Sequence, residues 1–541
     1  MTQPDPQQLL TAIPPIGRPG GPTKAPPASA LTGESNDPMH ALLANAPTGE
    51  SNDPPQVPSA SPQTVQPGDP PQAPAASQPS QASVNPPRIP TERPVPRQLP
   101  RLQVSENRRI LVTEDGKPFF WLGDTAWELF HRLTLEEADD YLHIRAEQRF
   151  NVIQAVLLAE MEGVTSGNAY GRLPLLPGDD GMPDPLCPDL TGPYSYWDHV
   201  DAVLALAGQK GLYVALLPTW GDKFNRMWGE GPEIFTPERA RAYGEWLGRR
   251  YAGHSHLVWV LGGDRPLSTA RHFQIIEGMA EGLKAGGARQ LMTYHPKGAE
   301  SSSYHLHDAP WLDFNMIQSG HGEREITNYE RVRADYERLP VKPTLDAEPC
   351  YEDIPIAFRA ENGYFDEADV RRAAYYAVLS GAFGHTYGHH SVWPMADGMY
   401  ASAALKEPGD FIIMPWREAL QRPGARQMRH LRTLFEPYWG SGLRPAQQII
   451  ARNRPGANYM AAAQTDTTAF IYCPNGLYVD AAMGYIEGEE AIVAWYCPRE
   501  GRVVRKERAG NAGIQRFTAP TSGRGCDWVL IMEGAEACTR S

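Results

Sequence analysis

The sequence predicts an α/β protein: a (β/α)8 TIM barrel followed by a small all-β sandwich and preceded by a disordered, proline-rich segment. Three observations predict this order. The first 100 residues hold 25 of the 52 prolines but no Trp, Tyr or Phe. From Arg101, short apolar runs alternate with segments of helical period, which is typical of a parallel sheet with right-handed crossovers. After about Gly440 the runs become short and β-rich at turn-like spacing, as in a sandwich.

The segment 1–100 is rich in Pro, Gln, Ala and Ser. It has too few large apolar side chains to offset the entropy lost on ordering, so we predict that it is disordered. One seven-residue sequence occurs in it twice, at Thr32–Pro38 and Thr48–Pro54, but it is too short to be a structural repeat. A spacer or docking arm and an inert leader both remain open as the role of this segment.

The barrel is predicted from eight strands and the helices between them, which fit a closed barrel better than an open sheet. The predicted strands are Phe119–Asp124, Phe150–Leu158, Leu212–Pro218, Leu257–Leu261, Leu291–Tyr294, Leu312–Gln318, Lys342–Asp346 and Ala382–Tyr387. The predicted helices are Thr134–Gln148, Trp197–Lys210, Thr236–Tyr251, Ala270–Ala285, Asn328–Arg338, Glu367–Ser380 and Gln427–Phe435. A Thr-x-x-Glu capping box begins the first helix. Neither a Gly-x-Gly-x-x-Gly after the first strand nor a P-loop motif occurs, which argues against nucleotide-binding folds.

The C-terminal region is predicted to form the sandwich. Its predicted strands are Gln447–Ala451, Asn458–Ala463, Thr468–Cys473, Ala491–Tyr496, Arg502–Arg505 and Trp528–Met532. Four of the six cysteines lie in this region: Cys473, Cys497, Cys526 and Cys538. Their spacing matches no zinc motif, and buried free thiols are favoured over a disulfide, which stays open.

Charge and hydropathy exclude two classes of protein. The formal net charge is −14, whereas nucleic-acid binders concentrate Lys and Arg, so we expect no nucleic-acid partner. No apolar run approaches the roughly 18 residues that a membrane-spanning helix needs, so we expect no integral membrane protein. The sequence makes no prediction of the oligomeric state.

The active site of such a barrel lies at the carboxyl ends of its strands. The residues predicted to bind a ligand there are Asp124, Trp127, Trp220, Gln318, His321, Tyr387, His390 and Trp393. This predicted mouth is acidic and aromatic and has few Lys or Arg. Because aromatic rings stack on sugar faces and carboxylates bind hydroxyl groups or transfer protons, the pattern indicates a carbohydrate as the partner.

Asp264 and Glu348 are the predicted catalytic pair, at the ends of strands four and seven, which face each other across the barrel. Two opposed carboxylates cleave a glycosidic bond when one protonates the leaving group and the other stays ionised. Gly262 and Gly263 would let the chain turn sharply before Asp264. Period-two alternation places Asp346 on the same face as Glu348, but Glu348 lies nearer the mouth and is preferred.

Other polar residues near the mouth have alternative interpretations. Glu160, Asp222, Glu352 and Asp353 are taken as structural or supporting carboxylates. The three histidines at the end of strand eight (His385, His389 and His390) raise the question of a metal, but no carboxylate–histidine motif accompanies them, so we predict neither a metal nor a cofactor. Cys350 is interpreted as a small buried residue, in preference to a nucleophile.

Four motifs, in order, resemble the apiosidase-like glycoside hydrolases: Phe120–Trp127, Trp259–Asp264, Asp346–Glu352, and Phe383–His390 with Trp393. They assign residues 101–437 to the barrel domain. Two further motifs, Ala494–Gly501 and Asp527–Leu530, make residues 440–541 similar to the collagen-binding-type sandwich that often follows such barrels.

The resemblance implies a retaining hydrolase of plant-type polysaccharide side chains, with apiose the leading sugar, Asp264 as acid/base and Glu348 as nucleophile. Many related enzymes have Asn-Glu where this chain has Gly263 and Asp264. Members of the family are often exported, whereas this N-terminus lacks a secretory signal and predicts a cytoplasmic protein. The alternative function is a catalytically inactive carbohydrate- or matrix-binding protein on the same scaffold.

Overall fold

The computed structural model describes residues 88–90, 94–95, 97–397 and 412–535. Almost all of the predicted disordered segment, 1–100, lies outside these residues, and so does Cys538.

Strands of the first part of the chain are β1 (Leu102–Val104), β2 (Leu111–Thr113), β3 (Pro118–Phe119), β4 (Trp121–Thr125), β5 (Val152–Val156), β6 (Leu175–Pro177), β7 (Pro183–Pro188), β8 (Tyr213–Leu217), β9 (Leu257–Gly262), β10 (Met292–His295), β11 (Glu300–Ser301), β12 (Asn315–Gln318), β13 (Thr344–Asp346) and β14 (Gly384–Tyr387). Helices of the barrel region are α1 (Leu129–Arg132), α2 (Leu135–Glu147), α3 (Tyr196–Gln209), α4 (Pro237–Tyr251), α5 (Ala270–Ala285), α6 (Ser303–Leu306), α7 (Asn328–Glu337), α8 (Glu367–Leu379), α9 (Trp416–Ala419) and α10 (Pro423–Phe435).

The parallel strands form a nearly closed barrel, in the order β10-β9-β8-β5-β4-β14-β13-β12, with β11 added antiparallel to β12. The gap between β10 and β12 is bridged by a hydrogen bond of 2.8 Å from the backbone N–H of Asp313 to the carbonyl of Met292. The hydroxyl of Thr293 donates to the carbonyl of Phe314 at 2.7 Å across the same gap. The eight predicted strands are therefore confirmed, in barrel order.

Capping residues begin several helices close to the predicted positions. Thr134 caps α2, its hydroxyl accepting from the N–H of Glu137 while the Glu137 carboxylate accepts from the N–H of Thr134, so the capping box is confirmed. Ser195 and Asp366 cap α3 and α8 in the same reciprocal way. Side chains from both faces of the strands are buried, as expected when helices cover a parallel sheet.

The C-terminal part is a β-sandwich, as predicted. Its strands are β15 (Arg444–Pro445), β16 (Ala461–Gln464), β17 (Thr468–Cys473), β18 (Tyr478–Ala482), β19 (Glu490–Cys497), β20 (Arg502–Gly510), β21 (Ile514–Thr518) and β22 (Trp528–Gly534). One sheet has the order β15-β16-β17-β22-β19-β20, and β18 pairs with β21 in the other. The predicted strand Gln447–Ala451 was wrong: Gln447–Ile449 is a 3-10 turn because the chain bends after β15. Cys473, Cys497 and Cys526 are free thiols.

The sandwich packs on the helix layer of the barrel through aromatic rings and one buried ion pair. The ring of Tyr329 stacks on Tyr459 at 3.8 Å. Arg371 on α8 donates to both carboxylate oxygens of Asp527, at 3.0 and 2.8 Å, and both side chains are almost completely buried. In the residues described, no helix is both long and apolar enough to span a membrane.

Candidate active site

A cavity of about 960 Å³ opens at the carboxyl ends of the barrel strands. Eight of the predicted site residues line it: Trp127, Trp220, Asp264, Gln318, His321, Glu348, His390 and Trp393. Residues from the loops after all eight barrel strands contribute to the wall. This is the end at which a (β/α)8 barrel holds its reacting groups.

Two predicted ligand-binding residues, Asp124 and Tyr387, do not line the cavity. They are register partners on β4 and β14, and both point into the helix layer. The Asp124 carboxylate accepts hydrogen bonds of 2.6 Å from Arg145 Nε and from the Tyr141 hydroxyl on α2, and the Tyr387 hydroxyl donates to Glu352 at 2.6 Å. Their predicted role in binding is corrected to a structural one, because alternation along each strand directs these side chains away from the barrel interior.

The predicted shared face of Asp346 and Glu348 is also wrong. Asp346 accepts hydrogen bonds from Ser319 Oγ at 2.8 Å and from Asn328 Nδ2 at 2.9 Å, so it lies between the barrel and α7. Strand β13 ends at Asp346, and the chain then turns so that Glu348 enters the cavity. The alternation does not continue past the end of the strand, which is why it failed here.

Asp264 is placed by a sharp change of backbone direction at the end of β9. Gly262, Gly263 and Asp264 have φ values of +91°, +119° and +51°, all in the left-handed region that favours glycine. A Cβ at Gly262 would lie 2.6 Å from the carbonyl oxygen of His295, and one at Gly263 would lie 2.8 Å from the backbone nitrogen of Gly221. The two glycines therefore permit the close packing that presents Asp264 to the cavity.

Glu348 is bracketed by two histidines. Nε2 of His295 lies 2.8 Å from its Oε2, and Nε2 of His321 lies 3.3 Å from its Oε1. Burial by itself raises the pKa of the Glu348 carboxyl, but the hydrogen bonds and charges of these histidines outweigh it and lower that pKa well below its ordinary value. Glu348 is therefore held as a carboxylate although its side chain is only 7% exposed.

His295 connects the two carboxylates. The backbone N–H of Asp264 points to Nδ1 of His295 at 3.3 Å. With Nδ1 accepting this bond, Nε2 is the ring nitrogen that can donate to Glu348. A single imidazole thus fixes the backbone of Asp264 relative to the carboxylate of Glu348.

Asp264 has the opposite electrostatic environment. Burial and the negative charge of Glu348 raise its pKa, while Arg265, His295 and a hydrogen bond from Gln318 oppose the rise. The pKa of Asp264 is thus shifted upward and that of Glu348 downward. Two titratable groups with pKa values pushed apart are the arrangement that acid and nucleophile roles require.

Aromatic rings form the walls. Trp127 and Trp220 lie 5.1 Å apart between ring centroids, and both contact the ring of His295, at 5.4 and 5.8 Å. Trp393 donates from Nε1 to His390 Nδ1 at 3.3 Å. The indole N–H of Trp220 is buried and has no hydrogen-bond partner among the described residues.

Sequence reasoning missed several residues of the site, some of which line the cavity. His295 ends the fifth strand, and its position at a strand end is the same signal that identifies Asp264. Glu160, predicted to be structural, lines the cavity. Trp228, Tyr351 and Phe358 come from loops, in which no periodicity marks the direction of a side chain.

The histidines of strand eight have separate surroundings. His389 Nε2 lies 3.0 Å from Asp353 Oδ2, and its Nδ1 accepts from the N–H of Ser391 at 2.9 Å. His385 is fully buried, which lowers its pKa to about 3. No group of three or more His, Cys, Asp or Glu suited to a metal occurs in the part of the chain that the structure describes.

A scan of protein families identifies both parts of the chain. The model described as "Apiosidase-like, catalytic domain" matches residues 105–439. This chain belongs to the apiosidase-like family. The model described as "Putative collagen-binding domain of a collagenase" matches residues 444–533. A search of curated proteins found no match. The domain boundaries 101–437 and 440–541 stay predictions.

Solved structures agree with this assignment to the apiosidase-like family. One, named "Glycoside hydrolase", has 31% identity and a TM-score of 0.72, with 81% of this chain and 97% of that chain covered. A glycoside hydrolase family 5 protein from Bacteroides vulgatus has 28% identity and a TM-score of 0.70, with 81% and 94% covered. The apiosidase-like chain is thus a glycoside hydrolase, an enzyme whose partner is a carbohydrate.

Proposed function

We propose that this enzyme hydrolyses O-glycosidic bonds in the side chains of plant-type polysaccharides, with apiose as the leading sugar and with retention of configuration. The observation that carries the proposal is that Asp264 and Glu348 line the same cavity from opposite sides of the barrel. Their surroundings support it, because burial and the charge of Glu348 raise the pKa of Asp264 while His295 and His321 lower that of Glu348. The family supports the sugar, and the catalytic roles rest on the geometry of the site.

In the first step Asp264 protonates the glycosidic oxygen while Glu348 attacks the anomeric carbon, so the bond to the leaving group breaks as the glycosyl–enzyme bond forms. In the second step the ionised Asp264 takes a proton from water, and that water displaces Glu348 from the sugar. The Nε2–H of His295 stabilises the carboxylate when it departs. No step needs a cofactor.

The sugar is held by the remaining cavity residues. The faces of Trp127, Trp220 and Trp393 offer apolar surfaces for stacking, while Gln318, His321 and His390 offer polar atoms to hydroxyl groups. A cavity of about 960 Å³ has room for more than one sugar unit, which fits a branched glycan better than a free monosaccharide.

The proposal is tested with Asp264→Ala and Glu348→Ala on a panel of apiose-, arabinose- and rhamnose-containing glycans. We expect Asp264→Ala to lower kcat/KM by about 10²–10⁴-fold and Glu348→Ala to abolish turnover. With a 2,4-dinitrophenyl glycoside, whose leaving group needs no proton, azide should restore turnover to both variants, with glycosyl azide of retained configuration from the Asp264 variant and of inverted configuration from the Glu348 variant. Proton NMR of the products distinguishes the two.

Glu337→Gln, an exposed carboxylate on α7 with its side chain 69% exposed, is the matched control and should keep wild-type activity. Full activity of either alanine variant would contradict the mechanism. Glycan binding without product release by the wild-type chain would instead favour an inactive carbohydrate-binding protein.

The C-terminal match raises matrix binding as a second candidate function. One face of the sandwich, including Tyr459 and Asp527, is covered by the barrel, so only the opposite face is open to a partner. We expect the full chain not to co-sediment with fibrillar collagen above the level of a bovine albumin control. Saturable binding in the micromolar range would establish the second function.

A further inference from the structure

Arg265 follows Asp264 directly, and its guanidinium is completely buried behind the acid/base carboxyl. Nη1 donates to the carbonyl of Asp264 at 2.8 Å and to its Oδ2 at 3.0 Å. A non-glycine residue with φ of +51° is uncommon. Because one nitrogen binds both the backbone and the side chain of residue 264, it fixes the carboxyl in this unusual backbone conformation.

Two residues of the cavity wall contact the guanidinium of Arg265. Nη2 donates to Glu160 Oε1 at 3.1 Å, from the loop after β5. The ring of Trp228, in the loop after β8, covers the guanidinium carbon at 4.5 Å, and its Nε1 donates to Asp264 Oδ2 at 3.3 Å. Three loops therefore meet at Arg265.

Two glycines in the loop after β8 leave room for the Arg265 side chain. A Cβ added at Gly221 would lie 2.6 Å from Arg265 Cγ, and one at Gly229 would lie 2.6 Å from Nη2. The side chain is therefore packed closely against this loop from its Cγ to its guanidinium.

Charged and titratable groups from several strand ends surround Asp264 and Glu160. Asp264 faces Glu348, Arg265 and His295. Glu160 faces Arg265, Asp222 and Asp264, and burial outweighs the guanidinium to raise the pKa of Glu160 to about 8. At neutral pH Glu160 is thus mostly protonated and still accepts from Nη2. Asp222 is paired with Lys223 at 2.8 Å.

We propose that Arg265 is a positioning residue of the glycosidase, which aims the carboxyl of Asp264 at the leaving-group oxygen, and that Glu160 and Trp228 hold Arg265 in place. The inference rests on the proposed function of Asp264 as acid/base. It assigns the buried guanidinium a role in leaving-group protonation.

The dependence on the leaving group tests this role. A sugar leaving group needs a proton, whereas 2,4-dinitrophenolate leaves without one. We expect Arg265→Gln to lower kcat/KM by about 10- to 100-fold for a glycan and by less than about threefold for the matching dinitrophenyl glycoside. Glu160→Ala, which removes the acceptor, should show the same selectivity, with a smaller effect in Glu160→Gln because the amide oxygen still accepts.

The pH profile gives a second measurement. Arg265 opposes the raised pKa of Asp264, so its removal should move the alkaline limb of kcat/KM to higher pH. Arg265→Lys keeps the positive charge but loses the planar guanidinium with its several N–H donors. We expect this variant to keep the wild-type alkaline limb of kcat/KM and to lose part of the rate.

Equal losses on both substrates with an unchanged alkaline limb would overturn the inference and leave Arg265 a purely structural residue. Should Arg265→Gln fail to fold, Glu160→Ala and Glu160→Gln are compared on the same two substrates. Equal losses on both substrates in Glu160→Ala would then overturn the inference. Asp264→Ala is run alongside: full glycan activity in that variant would reject the proposed function itself, whereas its loss together with unselective Arg265 variants rejects only this inference.

Discussion

At the scale of single residues, the ionisation of Glu348 depends on its neighbours because little water reaches it. His295 and His321 each place a ring nitrogen within 3.3 Å of a carboxylate oxygen. Burial opposes the charge and the histidines restore it. The acidic limb of activity is consequently expected below the range of an ordinary glutamate.

Replacing His321 with Ala removes one of the two groups that lower the pKa of Glu348. Burial is then less well opposed, the pKa of Glu348 rises, and the acidic limb of kcat/KM moves to higher pH. We expect a loss on the order of tenfold at pH 5, where a larger fraction of Glu348 is protonated, and a smaller loss at pH 7. Initial rates from pH 3 to 9 measure it.

His143→Ala is the control, since that ring on α2 is 60% exposed and far from the cavity in the barrel's helix layer. It should leave the profile unchanged. A uniform loss at all pH values in His321→Ala would show that the ring only binds substrate.

At the scale of elements, the site depends on how β9 ends. A side chain at Gly262 would meet the carbonyl of His295, and its φ of +91° disfavours any other residue. Both effects act on the same turn that carries Asp264 and Arg265. The end of β9 is therefore sensitive to substitution.

Gly262→Ala should destabilise the protein by about 1–3 kcal/mol and lower kcat/KM more than tenfold, because Asp264 is displaced. Gly253→Ala, where an added Cβ meets nothing within 4 Å, is the matched control and should be close to neutral. Urea-induced unfolding and initial rates test both. Wild-type values for Gly262→Ala would contradict the account of this turn.

At the scale of the whole molecule, the sandwich is joined to the barrel by a buried ion pair. Arg371 and Asp527 are 1% and 2% exposed, and Asp527 also accepts from Tyr472 at 3.1 Å and from Arg499 at 2.8 Å. Desolvation of Arg371 favours loss of its charge, but Asp527 outweighs this and raises its pKa. The two parts are thus expected to unfold together.

Asp527→Ala should cost about 3–5 kcal/mol, because it leaves the guanidinium of Arg371 buried without its partner. The double variant Arg371→Met/Asp527→Leu should recover part of this loss. Arg508→Ala, which breaks an ion pair whose side chains are 68% and 58% exposed, should cost at most about 1 kcal/mol. Urea unfolding followed by tryptophan fluorescence measures all three, and two separate transitions in the wild type would contradict joint unfolding.

The sequence alone determined the barrel, the sandwich and the end of the barrel that holds the cavity, because apolar periodicity and strand–helix alternation are local properties. It also predicted that Asp264 and Glu348 lie at this end, since each follows a recognisable strand, and both line the cavity. The predictions that Asp124 and Tyr387 bind a ligand and that Asp346 shares a face with Glu348 were wrong, because these three side chains point into the helix layer.

Only the tertiary structure decided which polar groups meet. His295, Arg265 and Glu160 come from different strand ends, and their distances depend on how the barrel closes. The protonation states of Asp264 and Glu348 likewise follow from burial and from neighbours distant in sequence. A sequence pattern predicts the order of the strands and helices and which face of each is buried. Electrostatic interactions depend instead on distances between groups, which only the packed fold defines.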